Sequence, residues 1–166
     1  MDLFQPGITR AVEEIAALGL KGIGEIVGLH GNAGLLAPVL EQAGRHGLPV
    51  FLHTDYPVDA QDLAQLLALA DRYPRTQIIL GHMGGDFWMD AVAGAQSRPN
   101  LWLDTSEVVN QVALQVAVAT LPDRILFSTD FPWDSMESML ARVQALDCTE
   151  ETRQLLLGGN AARLLG

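Results

Sequence analysis

Four residues that can hold a divalent metal or move a proton stand at or beside the ends of short apolar runs: Glu25, His53, His82 and Asp130. Two imidazoles and two carboxylates make a mixed nitrogen and oxygen donor set, which suits Zn²⁺ and also accepts Mn²⁺, Fe²⁺ or Ni²⁺. A cation held this way lowers the pKa of bound water toward about 7 and polarises a carbonyl or phosphoryl group. Each residue alone has a plain structural explanation. A histidine at a strand end is commonly hydrogen-bonded, a glutamate in a strand ion-paired, and Asp130-Phe131-Pro132 can simply cap a turn. Their shared placement at successive run ends is what points to chemistry. Asp130 is the candidate catalytic acid–base group, because it can take a proton from water and return it to a leaving group.

Other polar and aromatic residues rank behind these. His30, in Gly28-Leu29-His30-Gly31, and Trp133, just past Asp130, are candidate substrate contacts. Asp104 is either an acceptor behind a metal ligand or a helix cap. His46 precedes Gly47 and fits a helix C-terminus, where the dipole favours it. Trp88 and Trp102 fit core or pocket-wall positions.

The elements that must position these residues alternate along the chain. Runs at 21–29, 49–54, 77–82, 100–104 and 124–129 are rich in Val, Ile, Leu and Phe, with no polar face. Runs apolar on both faces predict parallel strands covered on each side. Helical spacing fills the segments 9–18, 35–46, 59–73, 87–96, 109–120, 134–146 and 150–156, with a short turn at 160–165. Gly19 and Gly47 are expected to end the first two helices. Asp59 and Thr149 are expected N-caps. Alternation without a linker predicts a single α/β domain over 1–166 with right-handed crossovers. Ligand-type residues at parallel strand ends converge more readily on a barrel rim than along a flat sheet, which favours a (β/α) barrel. Five strands are fewer than the eight of a closed barrel, so the expectation is a partial (β/α)8 TIM barrel made of its last five βα units.

Composition bounds the function. The chain has 166 residues, 49% of them hydrophobic and 18% charged, which is globular composition. Its formal net charge of −10 disfavours a phosphate backbone as partner. One cysteine, Cys148, excludes an intrachain disulfide and fits a reducing compartment. The first residues lack a basic and apolar leader, and no apolar stretch reaches the roughly 18–20 residues of a membrane span. A cytoplasmic protein with a small-molecule substrate and no membrane partner is expected.

Several motifs resemble a known family. Pro49-Val50-Phe51-Leu52-His53-Thr54 resembles the fifth-strand histidine motif of amidohydrolase-superfamily barrels. Ile79-Leu80-Gly81-His82-Met83-Gly84-Gly85 resembles the sixth-strand motif, especially of the amidohydrolase-related subgroup. The segment 99–106 resembles that subgroup's seventh strand, and 124–133 its eighth, whose aspartate is a metal ligand or general base. Asn160-Ala161-Ala162-Arg163-Leu164-Leu165 resembles its C-terminal end. Gly22-Ile23-Gly24-Glu25-Ile26 departs from the subgroup and is more similar to TatD-type nucleases, where the glutamate bridges two metals; that carries Glu25 over as a ligand.

The resemblance implies a metal-dependent hydrolase that activates water against an amide, ester or related bond. Three alternatives stand beside it: a decarboxylase on the same metal frame, a TatD-like nuclease, and an inactive barrel fragment. The family's first strand carries a His-x-His pair that holds one metal, and this sequence holds none; by analogy a second-metal site of Glu25, His53 and His82 is expected to remain, leaving Asp130 without its usual metal. The expectation is therefore a fragment, or a chain that completes its barrel as a homo-oligomer or with a complementing barrel fragment.

Overall fold

A computed structural model describes residues 7–166. Five parallel strands form one sheet in the order β1-β2-β3-β4-β5. They are β1 (Ile23–Ile26), β2 (Val50–Leu52), β3 (Ile78–Leu80), β4 (Leu101–Asp104) and β5 (Ile125–Leu126). Sequence order equals spatial order, the arrangement of successive βα units in a barrel. The register runs Val50 to Ile78 to Leu101 in one row, and Phe51 to Ile79 to Trp102 in the next.

The two rows face opposite ways, because successive side chains alternate across a strand. Val50, Leu52, Ile78, Leu80, Leu101, Leu103 and Ile125 join the main core under the helices. Phe51, Ile79, Trp102 and Leu126 form a second cluster on the other face, where Ala161 and Leu164 pack on them. Both faces are thus apolar, which is why the runs show no alternation in sequence.

The helices follow from caps and spacing. α1 (Ile8–Ala17) ends with Gly19 at φ 72°, and α2 (Ala37–His46) ends at Gly47 with φ 67°. α2 is preceded by a 3-10 turn at Ala33–Leu36. α3 (Ala60–Arg72) starts at Asp59, whose carboxylate accepts from Gln61 and Asp62 amides at 2.9 Å each, while the Asp62 carboxylate accepts from the Asp59 amide. Such a reciprocal cap contributes about 1 kcal/mol. Leu63, Leu66 and Ala70 are the buried stripe of this helix.

α4 (Trp88–Gln96), α5 (Gln111–Thr120) and α6 (Met136–Gln144) complete the outer layer. Asn110 and Ser135 cap the last two, each a little inside the span that periodicity predicts. α7 (Glu150–Gln154) is capped by Thr149 as expected and runs through a π turn into α8 (Asn160–Leu165). The segment at 160–165, expected as a turn, is helical. Asn160 is fully buried, and its amide donates to the carbonyls of Pro122 and Ile125. That pins α8 to the turn before β5 and to the strand's first residue, and holds Leu164 against the inner face. Among the described residues no helix is long and apolar enough to cross a membrane.

Candidate metal centre

The C-terminal strand ends carry the chemistry. Glu25 lies within β1, His53 follows β2 and His82 follows Gly81 at the end of β3. These are three adjacent strands, so their side chains can meet. His53 Nδ1 lies 3.0 Å from Glu25 Oε1, and His82 Nε2 lies 3.1 Å from His53 Nδ1 and 3.4 Å from Glu25 Oε1. Burial grades across the group: the His82 side chain is 4% exposed, His53 24% and Glu25 32%.

His82 is presented by an unusual turn. His82, Met83 and Gly84 take φ values of 55°, 55° and 86°, all left-handed. Each such non-glycine residue costs roughly 1 kcal/mol or more. The surroundings hold the turn. The buried Thr54 hydroxyl donates to the Gly81 carbonyl and accepts from the Gly84 amide at 3.1 Å. The His82 amide donates to Asp104 Oδ1 at 3.0 Å.

Asp104 is completely buried. Desolvation pushes its carboxyl up to about 6, against the opposing bonds from Ser106, the His82 and Ser106 amides and the charge of His82. Ser128 also donates to its second oxygen. Ser106 reaches the His82 ring as well, with Oγ 3.0 Å and its carbonyl 3.2 Å from Nδ1.

The donor set fits a divalent cation. His53 Nε2 lies 3.1 Å from the Tyr56 carbonyl, which can only accept, so Nε2 carries the ring proton. His53 Nδ1 then turns a lone pair toward the Glu25 carboxylate. Two acceptors at 3.0 Å need a cation or an added proton between them, and two imidazoles with a carboxylate are ordinary ligands for zinc and its neighbours. The ligand atoms of Glu25, His53 and His82 all lie within 4.8 Å of one another.

Asp130 stands elsewhere on the rim. It groups with His82 and Glu107 within 4.8 Å, not with Glu25 and His53. It follows β5, two strands beyond His82, and sits half-buried at φ 62°. His30 is held by a different element: its Nδ1 lies 2.8 Å from Asp62 Oδ2 at the start of α3, and it lines neither cavity beside His82. Trp133 is 78% exposed and also lies outside both cavities.

Those cavities meet at His82. The larger, about 520 Å³, runs along the inner sheet face from Phe51, Ile79, Leu126 and Leu164 to Glu25, His82, Asp104, Ser128 and Asp130. The smaller, about 260 Å³, is lined by Asp55, Asp86, Trp88, Glu107 and Asn110. Ser106, Ser128 and Glu107 are rim residues that the sequence reading missed. The first and last lie two and three residues past Asp104, so their position just past a strand end was the available signal.

Parallel βα units with imidazoles and carboxylates at the strand C-termini define a partial TIM-type barrel. The family model described as Amidohydrolase matches residues 2–166, and the chain belongs to that family. A curated relative, Decarboxylase orsB of Emericella nidulans, is 30% identical over 118 residues, covering 57% of this chain and 36% of that protein. The solved 5-carboxyvanillate decarboxylase of Sphingomonas paucimobilis superposes with a TM-score of 0.75 at 22% identity, covering 95% of this chain and 62% of that one. A dihydroxybenzoic acid decarboxylase of Polaromonas, solved with manganese and 2-nitroresorcinol, gives 0.72 at 22% identity, covering 95% and 64%. The chain therefore spans about a third of the curated relative and under two thirds of these solved structures.

Proposed function

We propose that this chain carries the metal-binding rim of a metal-dependent carboxy-lyase acting on a hydroxylated aromatic carboxylate. Glu25, His53 and His82 are its metal ligands, and Asp130 its proton carrier and a further candidate ligand. The observation that carries the reading is the convergence of three ligand atoms within 4.8 Å, in a chain whose relatives named above are decarboxylases. A divalent cation bound there would supply positive charge to a substrate oxygen and lower the pKa of bound water. Zinc is the first choice for this donor set, with manganese, iron or nickel also compatible.

The chain's own residues fit the remaining demands. Phe51, Ile79 and Leu126 give the larger cavity an apolar wall that suits a flat ring. No Lys or Arg is among the described residues lining it, so an anionic substrate finds no counter-charge from the chain in that cavity. In decarboxylation the carbon–carboxyl bond breaks, carbon dioxide leaves, and the ring carbon keeps the electron pair and takes one proton. Asp130, on the wall of the cavity and close to His82, is placed to carry that proton.

Hydrolysis is the second reading, favoured by the family description and by the same Asp130, which could instead deprotonate water. The net charge of −10 weighs against a nuclease. For assembly, β1 and β5 each pair on one side only among the described residues. Unpaired edges attract further strands, so a second copy or a complementing barrel segment is the proposed partner.

The test is turnover of the metal-loaded chain with hydroxybenzoates, following carbon dioxide and the ring product, beside a panel of amides and esters. Carbon dioxide release that needs metal and vanishes in His82→Ala supports the lyase. Water incorporation without carbon dioxide transfers the assignment to hydrolysis. Metal bound with neither activity refutes both and leaves a barrel fragment that keeps the centre only.

A further inference from the structure

We propose that Ser106 and Asp104 are positioning residues that fix His82 as its Nδ1–H tautomer and thereby aim its Nε2 lone pair at Glu25 and His53. The value of this to the protein rests on the metal-centre reading above; the geometry does not.

The argument is an accounting of protons. Asp104 is fully buried, and its two oxygens accept from the His82 amide, the Ser106 amide and hydroxyl, and the Ser128 hydroxyl. The Ser106 hydroxyl proton is therefore spent on Asp104. Its oxygen has only lone pairs left for His82 Nδ1, 3.0 Å away. The Ser106 carbonyl, at 3.2 Å from the same nitrogen, also only accepts. Two acceptors face Nδ1, so Nδ1 carries a hydrogen, which leaves Nε2 as the nitrogen that can turn a lone pair to a cation. That nitrogen is the atom 3.1 Å from His53 Nδ1 and 3.4 Å from Glu25 Oε1.

One strand end thus grips His82 twice. Asp104 holds the backbone amide of a residue forced to φ 55°, and Ser106 holds the ring. A serine that served only to satisfy the buried Asp104 would not need to stand within bonding distance of an imidazole. Partners of this kind typically change metal affinity by about 10- to 100-fold when removed.

The experiment uses the full chain, metal-free and labelled with ¹⁵N-histidine, at about pH 8, where an ordinary imidazole is neutral. Long-range ¹H–¹⁵N correlation separates protonated from bare ring nitrogens, and comparison with His82→Gln identifies the His82 signals. The expected result is a protonated Nδ1 in the unmodified chain. Ser106→Ala keeps the carbonyl acceptor but loses the hydroxyl, and should weaken zinc by about 10- to 100-fold in chelator competition, while Ser106→Thr retains the affinity. A bare Nδ1 in the unmodified chain overturns the proposal, as does unchanged zinc affinity in Ser106→Ala. Should Ser106→Ala fail to fold, the unmodified spectrum and Ser106→Thr still decide. Should the unmodified chain bind no zinc, the metal-centre reading fails while the tautomer continues to judge this one.

Discussion

His53 Nδ1 and His82 Nε2 stand 3.1 Å apart, with their rings 70° from coplanar and their centroids separated by 4.7 Å. They come from the ends of neighbouring strands β2 and β3, so sheet spacing brings them together. The Tyr56 carbonyl already takes the other His53 nitrogen, which leaves Nδ1 with only a lone pair facing His82 Nε2 and the Glu25 carboxylate. In the metal-free chain this is a cluster short of positive charge.

Metal content should follow that cluster. Purified chain is expected to carry near-stoichiometric divalent metal by elemental analysis, and His53→Ala or His82→Ala to lose nearly all of it. Glu25→Gln keeps the shape but removes the charge, and should weaken binding by at least tenfold. Asp130→Asn tests a different role: it should cut turnover strongly while leaving most of the metal, since Asp130 groups with His82 and Glu107 but with neither Glu25 nor His53. Full turnover in that variant would remove Asp130 from the chemistry.

The buried Asp104 gives a stability signature. Its carboxyl is raised from 3.8 to about 6, chiefly by desolvation. A raised carboxyl is easier to ionise in the unfolded chain, so folding is favoured where both forms are protonated, below about 3.8. Its contribution to stability should fall as pH rises from there to about 6, by roughly 3 kcal/mol. Asp104→Asn cannot ionise and keeps an oxygen for the His82 amide. Urea unfolding of the two metal-free proteins should therefore show the asparagine variant gaining on the parent across that window and running parallel above it. A constant gap at all pH values would contradict the assignment.

Asp134 behaves in the opposite sense. The Arg142 guanidinium, with bonds from the Ser135 amide and Ser138, holds its carboxyl below the usual range despite burial. A lowered carboxyl contributes stability that is present above the unfolded value of 3.8 and lost as pH falls through the folded one. Asp134→Asn should therefore lower the melting temperature near neutrality, with the difference closing in acid. The pair ties α6 to the segment carrying Asp130, Phe131 and Trp133, so the variant should also loosen that segment to proteolysis.

The sequence made the strand centres visible because each is apolar through, and the ligand candidates visible because they interrupt that apolarity at the same end. It did not show how far each ladder extends. The run at 124–129 pairs only at Ile125–Leu126, because its later residues leave the ladder where Ser128 turns to Asp104. Which rim residues meet came only by analogy with the resembling family, and not from spacing. Glu25, His53 and His82 belong to three consecutive strands, whereas β4 separates His82 from the strand before Asp130. His30 looked free for a substrate, but its partner Asp62 lies 32 residues on, inside a capping box whose first member alone was recognisable. Ser106 was passed over because a serine after a strand is commonplace; only its distance to an imidazole distinguishes it.

Gly81 joins fold and site at one atom. A Cβ there would lie 2.8 Å from the Leu52 carbonyl and 2.8 Å from the Phe51 ring, closer than real contacts allow. Both neighbours belong to β2, which His53 directly follows, and the residue after Gly81 is His82. Gly81→Ala must push β2 away from the end of β3 or tilt the left-handed turn that Thr54 braces. Overpacking of this kind costs about 1–3 kcal/mol. The decisive comparison is with Gly34→Ala, where an added methyl meets nothing within 4 Å. Gly34→Ala should leave zinc affinity unchanged. Gly81→Ala should lower both the unfolding midpoint and zinc affinity, because the imidazoles it separates are the two that stand 3.1 Å apart. If Gly81→Ala destabilised the chain without touching metal affinity, the close packing of β2 on β3 would be a matter of folding alone.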